Sequence, residues 1–78
     1  MSSLEKIRSV VADVLRVPVE DLAPDAALGA IATLDSLSLA EIASALDDAF
    51  GIRLPSEDLA TTLSIRELAG LVERAPRR

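Results

Sequence analysis

The chain has 78 residues, half of them hydrophobic, with 13 acidic against 8 basic side chains and a formal net charge of −5. That length makes one domain with a modest core and leaves no room to enclose a large active site. Cysteine and histidine are both absent, which removes disulfides, thiolate metal sites and the commonest general base near neutral pH, and the acidic balance argues against a nucleic-acid binder.

Ser2 and Glu5 have the spacing of a capping box, and Leu4, Ile7, Val11, Val14 and Leu15 recur on one face, predicting a helix over 3–16. Val17-Pro18 ends it, because proline lacks an amide donor and disfavours helical geometry in the residue before it. A connection without regular structure is expected from there to Leu34, broken by Pro24 and Gly29 and anchored by Leu22, Leu28 and Ile31. Such a length is unusual in a small domain and often functional.

The second helix is predicted over 36–50, with Gly51 suited to the left-handed position after its end and an inward stripe of Leu39, Ile42, Ala43, Leu46, Ala49 and Phe50. Beyond Leu54-Pro55, Ser56 is expected to cap a short helical turn through Glu57, Asp58 and Leu59. The last helix has the clearest start in the chain: Ser64 and Glu67 form a second capping box, and Leu63 and Leu68 are spaced as a hydrophobic staple. It should end near Arg74, before Pro76, leaving 75–78 as a tail. The fold class expected is all-α, a single domain built as a small four-helix bundle of three main helices plus one short helix. No stretch is apolar for long enough to span a bilayer and no secretory pattern opens the chain, so a cytoplasmic monomer is expected.

Charge is unevenly spread along these elements. Residues 17–52 hold seven carboxylates (Glu20, Asp21, Asp25, Asp35, Glu41, Asp47 and Asp48) and no lysine or arginine, net −7, while the remainder holds six acids and eight bases, net +2. At the centre of the acidic stretch stands Ser36, at the start of the second helix. Asp35 or Ser36 can serve simply as the helix cap, which is the commoner use of such a pair. Alternatively the hydroxyl carries a phosphodiester, favoured by the positive end of the helix dipole, with Asp35 capping and Ser36 pointing outward. Leu37 falls opposite the apolar stripe, on the face of Glu41, Ser44 and Asp48. An aliphatic knob ringed by carboxylates suits docking to a basic partner, although single exposed leucines are common.

Asp35-Ser36-Leu37, the following Glu41-Ile42, the pair Asp47-Asp48 and the run from Phe50 through Gly51-Ile52-Arg53-Leu54-Pro55-Ser56-Glu57-Asp58 closely resemble acyl carrier proteins. The resemblance covers nearly the whole chain. It implies that Ser36 is the attachment point for 4′-phosphopantetheine, added from coenzyme A by a phosphopantetheinyl transferase, and that acyl groups ride on the arm as thioesters. It also implies that Asp35 helps to position the serine, while Leu37, Glu41, Asp47 and Asp48 meet acyl-loading and acyl-processing enzymes through their basic docking surfaces. A chain with neither Cys nor His suits a freestanding carrier without catalytic machinery of its own, importing its thiol and leaving bond-making to others.

Some positions depart from the family pattern. Thr33 stands where many members have glycine, Ser38 replaces a frequent acid, and Ser44 is polar where the surface is often apolar. The glycine pair typical of aminoacyl and peptidyl carriers is missing before Ser36, which favours an acyl cargo in fatty-acid, polyketide or related synthesis. Ala43, Ala45 and Ala49 could leave room for a bound chain, though alanine is usually just a good helix former. Two other classes stay open: an unmodified acidic adaptor using the Leu37 face, and an enzyme with a carboxylate metal cluster, for which no ligand spacing is recognisable.

Overall fold

The apolar periodicity folds into four helices, α1 (Ser3–Leu15), α2 (Leu28–Ile31), α3 (Ser36–Phe50) and α4 (Ile65–Arg74), with 3₁₀ turns at Val19–Asp21 and Ser56–Asp58. This is a computed structural model that describes residues 3–31 and 33–77, so the Ser2 cap and Arg78 lie outside the described residues. The expected all-α class holds, and the described residues form no strand, only isolated antiparallel bridges between Ala27 and Ser64 and between Ile52 and Arg77.

α1 lies against both α3 and α4. Its Ile7 and Val11, with Ile42 and Leu46 of α3 and Ile65 and Leu68 of α4, are fully buried in one cluster. Each such aliphatic side chain contributes about 1.5–3 kcal/mol on leaving water. The stripes read from the sequence are therefore the surfaces that hold the helices together. Leu22 and Leu28, expected as anchors of the long connection, are also fully buried, and Ile31 is half-buried.

Helix ends follow local chemistry. α1 stops at Leu15, one residue before the predicted end, because Arg16 adopts φ 58 and the Val17 amide donates back to the Ala12 carbonyl at 3.1 Å. α3 closes as expected on Gly51, at φ 64, whose amide and that of Ile52 both donate to the Asp47 carbonyl at 2.8 and 3.2 Å. The α4 capping box is complete: Ser64 Oγ accepts from the Glu67 amide at 3.1 Å and Glu67 Oε1 accepts from the Ser64 amide at 3.0 Å.

Three expectations need correction. The long connection is more ordered than predicted, carrying a 3₁₀ turn and α2. Arg8 fastens its start, donating from Nε to the Leu22 carbonyl at 3.0 Å and from Nη2 to the Val19 carbonyl at 3.1 Å. Its later part is laced to the segment before α4, since the amides of Leu28 and Gly29 donate to the carbonyls of Leu63 and Thr61, both at 2.8 Å. A Cβ on Gly29 would stand 3.1 Å from Thr61 Cβ, a tight contact that Thr61 would have to relieve by a few tenths of an ångström.

Second, residues 56–58 form only a 3₁₀ turn, and Pro55, not Ser56, occupies the position before it, without a side-chain cap. Third, residues 75–77 are not a loose tail. The Arg53 amide donates to the Pro76 carbonyl at 2.9 Å and Ile52 bridges to Arg77, so the chain folds back along the segment after α3.

Candidate functional site

Ser36 is the first residue of α3 and is exposed. The residue before it takes the cap: Asp35, in extended geometry, accepts a 2.8 Å hydrogen bond at Oδ1 from the Ser38 amide. The two readings of this pair thus separate, with capping assigned to Asp35 and the Ser36 hydroxyl left on the open first turn. Donation from the Ser38 amide, and secondarily from its hydroxyl, holds the Asp35 carboxyl below its ordinary range. The first amides of a helix have no partner within it and make its start electropositive. A serine oxygen here is suited to bearing an anionic substituent.

Leu37 is 67% exposed, the one large hydrophobic side chain so exposed among the described residues. Glu41, Ser44 and Asp48 are exposed as well, whereas Ile42, Ala43 and Leu46 on the opposite side are buried. The knob and its acidic surround thus share one face, as the helical spacing requires. Asp47 differs from that group. It is half-buried, and its Oδ1 accepts a 2.7 Å hydrogen bond from the Leu54 amide, bracing the segment that leaves α3.

Other charged residues turn out to serve the scaffold. Lys6 donates to the Ala49 carbonyl at 3.0 Å and sits 4.8 Å above the centre of the Phe50 ring, placing a cation at the C-terminal end of α3. Arg66 pairs with Asp25 at 2.7 Å, and its amide donates to the Pro24 carbonyl at 3.0 Å. These pairings join residues far apart in the chain, and no local spacing signals them. Among the described residues no group of three acidic side chains is arranged to hold a metal ion. Two surface grooves formed by described residues near the C-terminal end of α3 are not lined by Ala43, Ala45 or Ala49.

Comparison with known proteins adds a second line of evidence. A family model described as "Phosphopantetheine attachment site" matches residues 5–72. The chain is similar to proteins named "Acyl carrier protein" from several bacteria. It is 30% identical over 69 residues to that of Thermosynechococcus vestitus, covering 88% of this chain and 85% of the relative. With that of Rubrobacter xylanophilus the identity is 32% over 69 residues, with the same coverage. With that of Solidesulfovibrio magneticus it is 28% over 74 residues, covering 95% of each.

Proposed function

The chain belongs to the acyl carrier protein family, and from that premise we propose that Ser36 is the residue joined to its 4′-phosphopantetheine. A covalent phosphopantetheine is the cofactor of such domains. The observation that carries the assignment is the division of labour at the start of α3, where Asp35 does the capping and Ser36 stays exposed. When attached, the arm supplies the thiol that this cysteine-free chain lacks and on which acyl groups are held as thioesters.

The chain's own residues have three tasks in this reading. Ser36 Oγ, reachable by a separate transferase because it is exposed, loses a proton and takes the pantetheine-bearing phosphoryl group of coenzyme A, whose pyrophosphate bond breaks to release adenosine 3′,5′-bisphosphate. Asp35 fixes the first turn through the Ser38 amide, so that the oxygen is offered from a defined backbone. Leu37, Glu41 and Asp48 form the docking face for basic surfaces of the transferase and of acyl-processing enzymes, with charge steering the approach and the leucine desolvated on contact. Asp47 supports that face from its C-terminal end through Leu54 and adds charge beside it.

The proposed role is that of a cytoplasmic carrier which presents acyl intermediates in fatty-acid, polyketide or related synthesis and leaves the chemistry to its partners. The relatives' names and the absent glycine pair before Ser36 support an acyl over an aminoacyl cargo. No helix among the described residues is long and apolar enough to cross a membrane. Incubation with coenzyme A and a broad-specificity transferase, read by intact mass, should add one phosphopantetheine to the wild type and none to Ser36→Ala. An unmodified wild type, or a modified Ser36→Ala, defeats the assignment.

A further inference from the structure

Beyond the far end of α3, where residues 75–77 fold back beside residues 53–55, an open groove of about 420 Å³ remains. Leu54, Leu71 and Pro76 give it an aliphatic lining, and its charged groups are Arg53 and Arg74 against one acid, Asp58. Of the other cations, Lys6 donates to the Ala49 carbonyl, Arg8 to the carbonyls of Leu22 and Val19, and Arg66 pairs with Asp25, while Arg16 and Arg77 also lack a carboxylate partner among the described residues. Arg53 and Arg74 pair with no carboxylate among the described residues.

The Arg53 amide is tied to the Pro76 carbonyl at 2.9 Å, and the Arg74 guanidinium lies back along α4, its Nη1 3.4 Å from where a Cβ on Gly70 would stand. Guanidinium groups beside an apolar trough complement a carboxylate carried next to an aliphatic side chain, and arginine suits such contacts through its planar donor fork. We infer that this groove docks an acidic polypeptide segment bearing an aliphatic anchor residue, on a partner other than the basic enzymes that meet Leu37.

Small-molecule sites bury most of their ligand in a concave pocket, whereas a groove open to solvent suits a segment laid across the surface. The 15 residues of α3 span about 22 Å at the helical rise. Leu37 lies in the first turn of α3, whereas the groove is lined by residues that come after its last turn. Partners of opposite charge can occupy the two places together, so the carrier can stay on one protein while the Ser36 end visits another. The groove itself does not depend on modification of Ser36.

Amide chemical-shift mapping on the full chain, titrated with a short synthetic peptide of glutamate and leucine, tests this. Shifts should be confined to residues 53–55 and 71–77, with 36–41 unmoved. Arg74→Glu should weaken binding about tenfold or more, as expected when a paired interfacial charge is reversed, and Asp58→Asn should tighten it. A peptide of glutamine and leucine should not bind. Arg53→Glu gives the same readout should Arg74→Glu disturb α4, which its own amide spectrum reports. The inference is overturned by an unshifted wild type, by shifts on α3 instead, by equal binding of the glutamine peptide, or by decanoate filling the groove undisplaced by the acidic peptide.

Discussion

Asp35 couples the start of α3 to pH. Because its carboxyl titrates below the ordinary value, an unfolded chain binds that proton more readily than the folded one. The stabilisation is therefore fully present above the ordinary aspartate value of 3.8 and is lost as pH falls through the lower folded value. Asp35→Asn, which keeps an accepting oxygen for the Ser38 amide, should match the wild type at neutral pH but lose less stability between about pH 5 and 2. Parallel acid titrations followed by circular dichroism would read this; identical acid profiles would remove Asp35 from the account. Arg16 offers a second residue-scale test, since a side chain at φ 58 is strained where glycine is not. Arg16→Gly should raise stability by about 0.5–1 kcal/mol in urea melts, and a loss would mean the side chain contributes something else.

α3 carries the site, and its two ends are fixed by different means. Its beginning depends on a local cap, its end on Gly51 and on Asp47 reaching the Leu54 amide. Asp47→Ala should cost about 1–2 kcal/mol by orphaning that partly buried amide, and Asp47→Asn should recover much of it. If Asp47→Ala weakened enzyme docking at unchanged stability, the brace would be the lesser of its roles. α3 and α4 were legible in the sequence because their signals are local: stripes at helical spacing, Gly51 after the end, the Ser64 and Glu67 box. The connection between α1 and α3 was not, since its order comes from Arg8 reaching Leu22 and from Leu28 and Gly29 pairing with Leu63 and Thr61. The return of Pro76 to Arg53 escaped for the same reason. At the site, the exposure of Leu37 followed from helical angle alone, whereas the inward turn of Asp47 depended on where residues 52–54 went.

Charge is uneven along the chain, with Ser36 and Leu37 inside a stretch of net −7 and the bases outside it in sequence, of which Lys6, Arg8 and Arg66 fold back onto the ends of that stretch rather than onto the Leu37 face. An asymmetry of this kind acts chiefly on the rate of encounter, because surface fields steer partners before contact. Association with a transferase should therefore slow by about tenfold or more between low and physiological salt, while dissociation changes little. Stopped-flow measurement at several ionic strengths separates the two rates, and an association rate indifferent to salt would leave docking to the Leu37 contact alone. This distribution fits the division proposed for the carrier, with an acidic face that enzymes visit, Lys6, Arg8 and Arg66 spent on the scaffold, and Arg53 and Arg74 at the groove.

Site mapping on protein taken from its producing cells tests the central claim most directly. Proteolysis and fragmentation by mass spectrometry should place phosphopantetheine, free or acylated, on Ser36 and on no other serine. Its presence on Ser38 or Ser44, or a bare Ser36 in cells that are making their acyl product, would contradict the account.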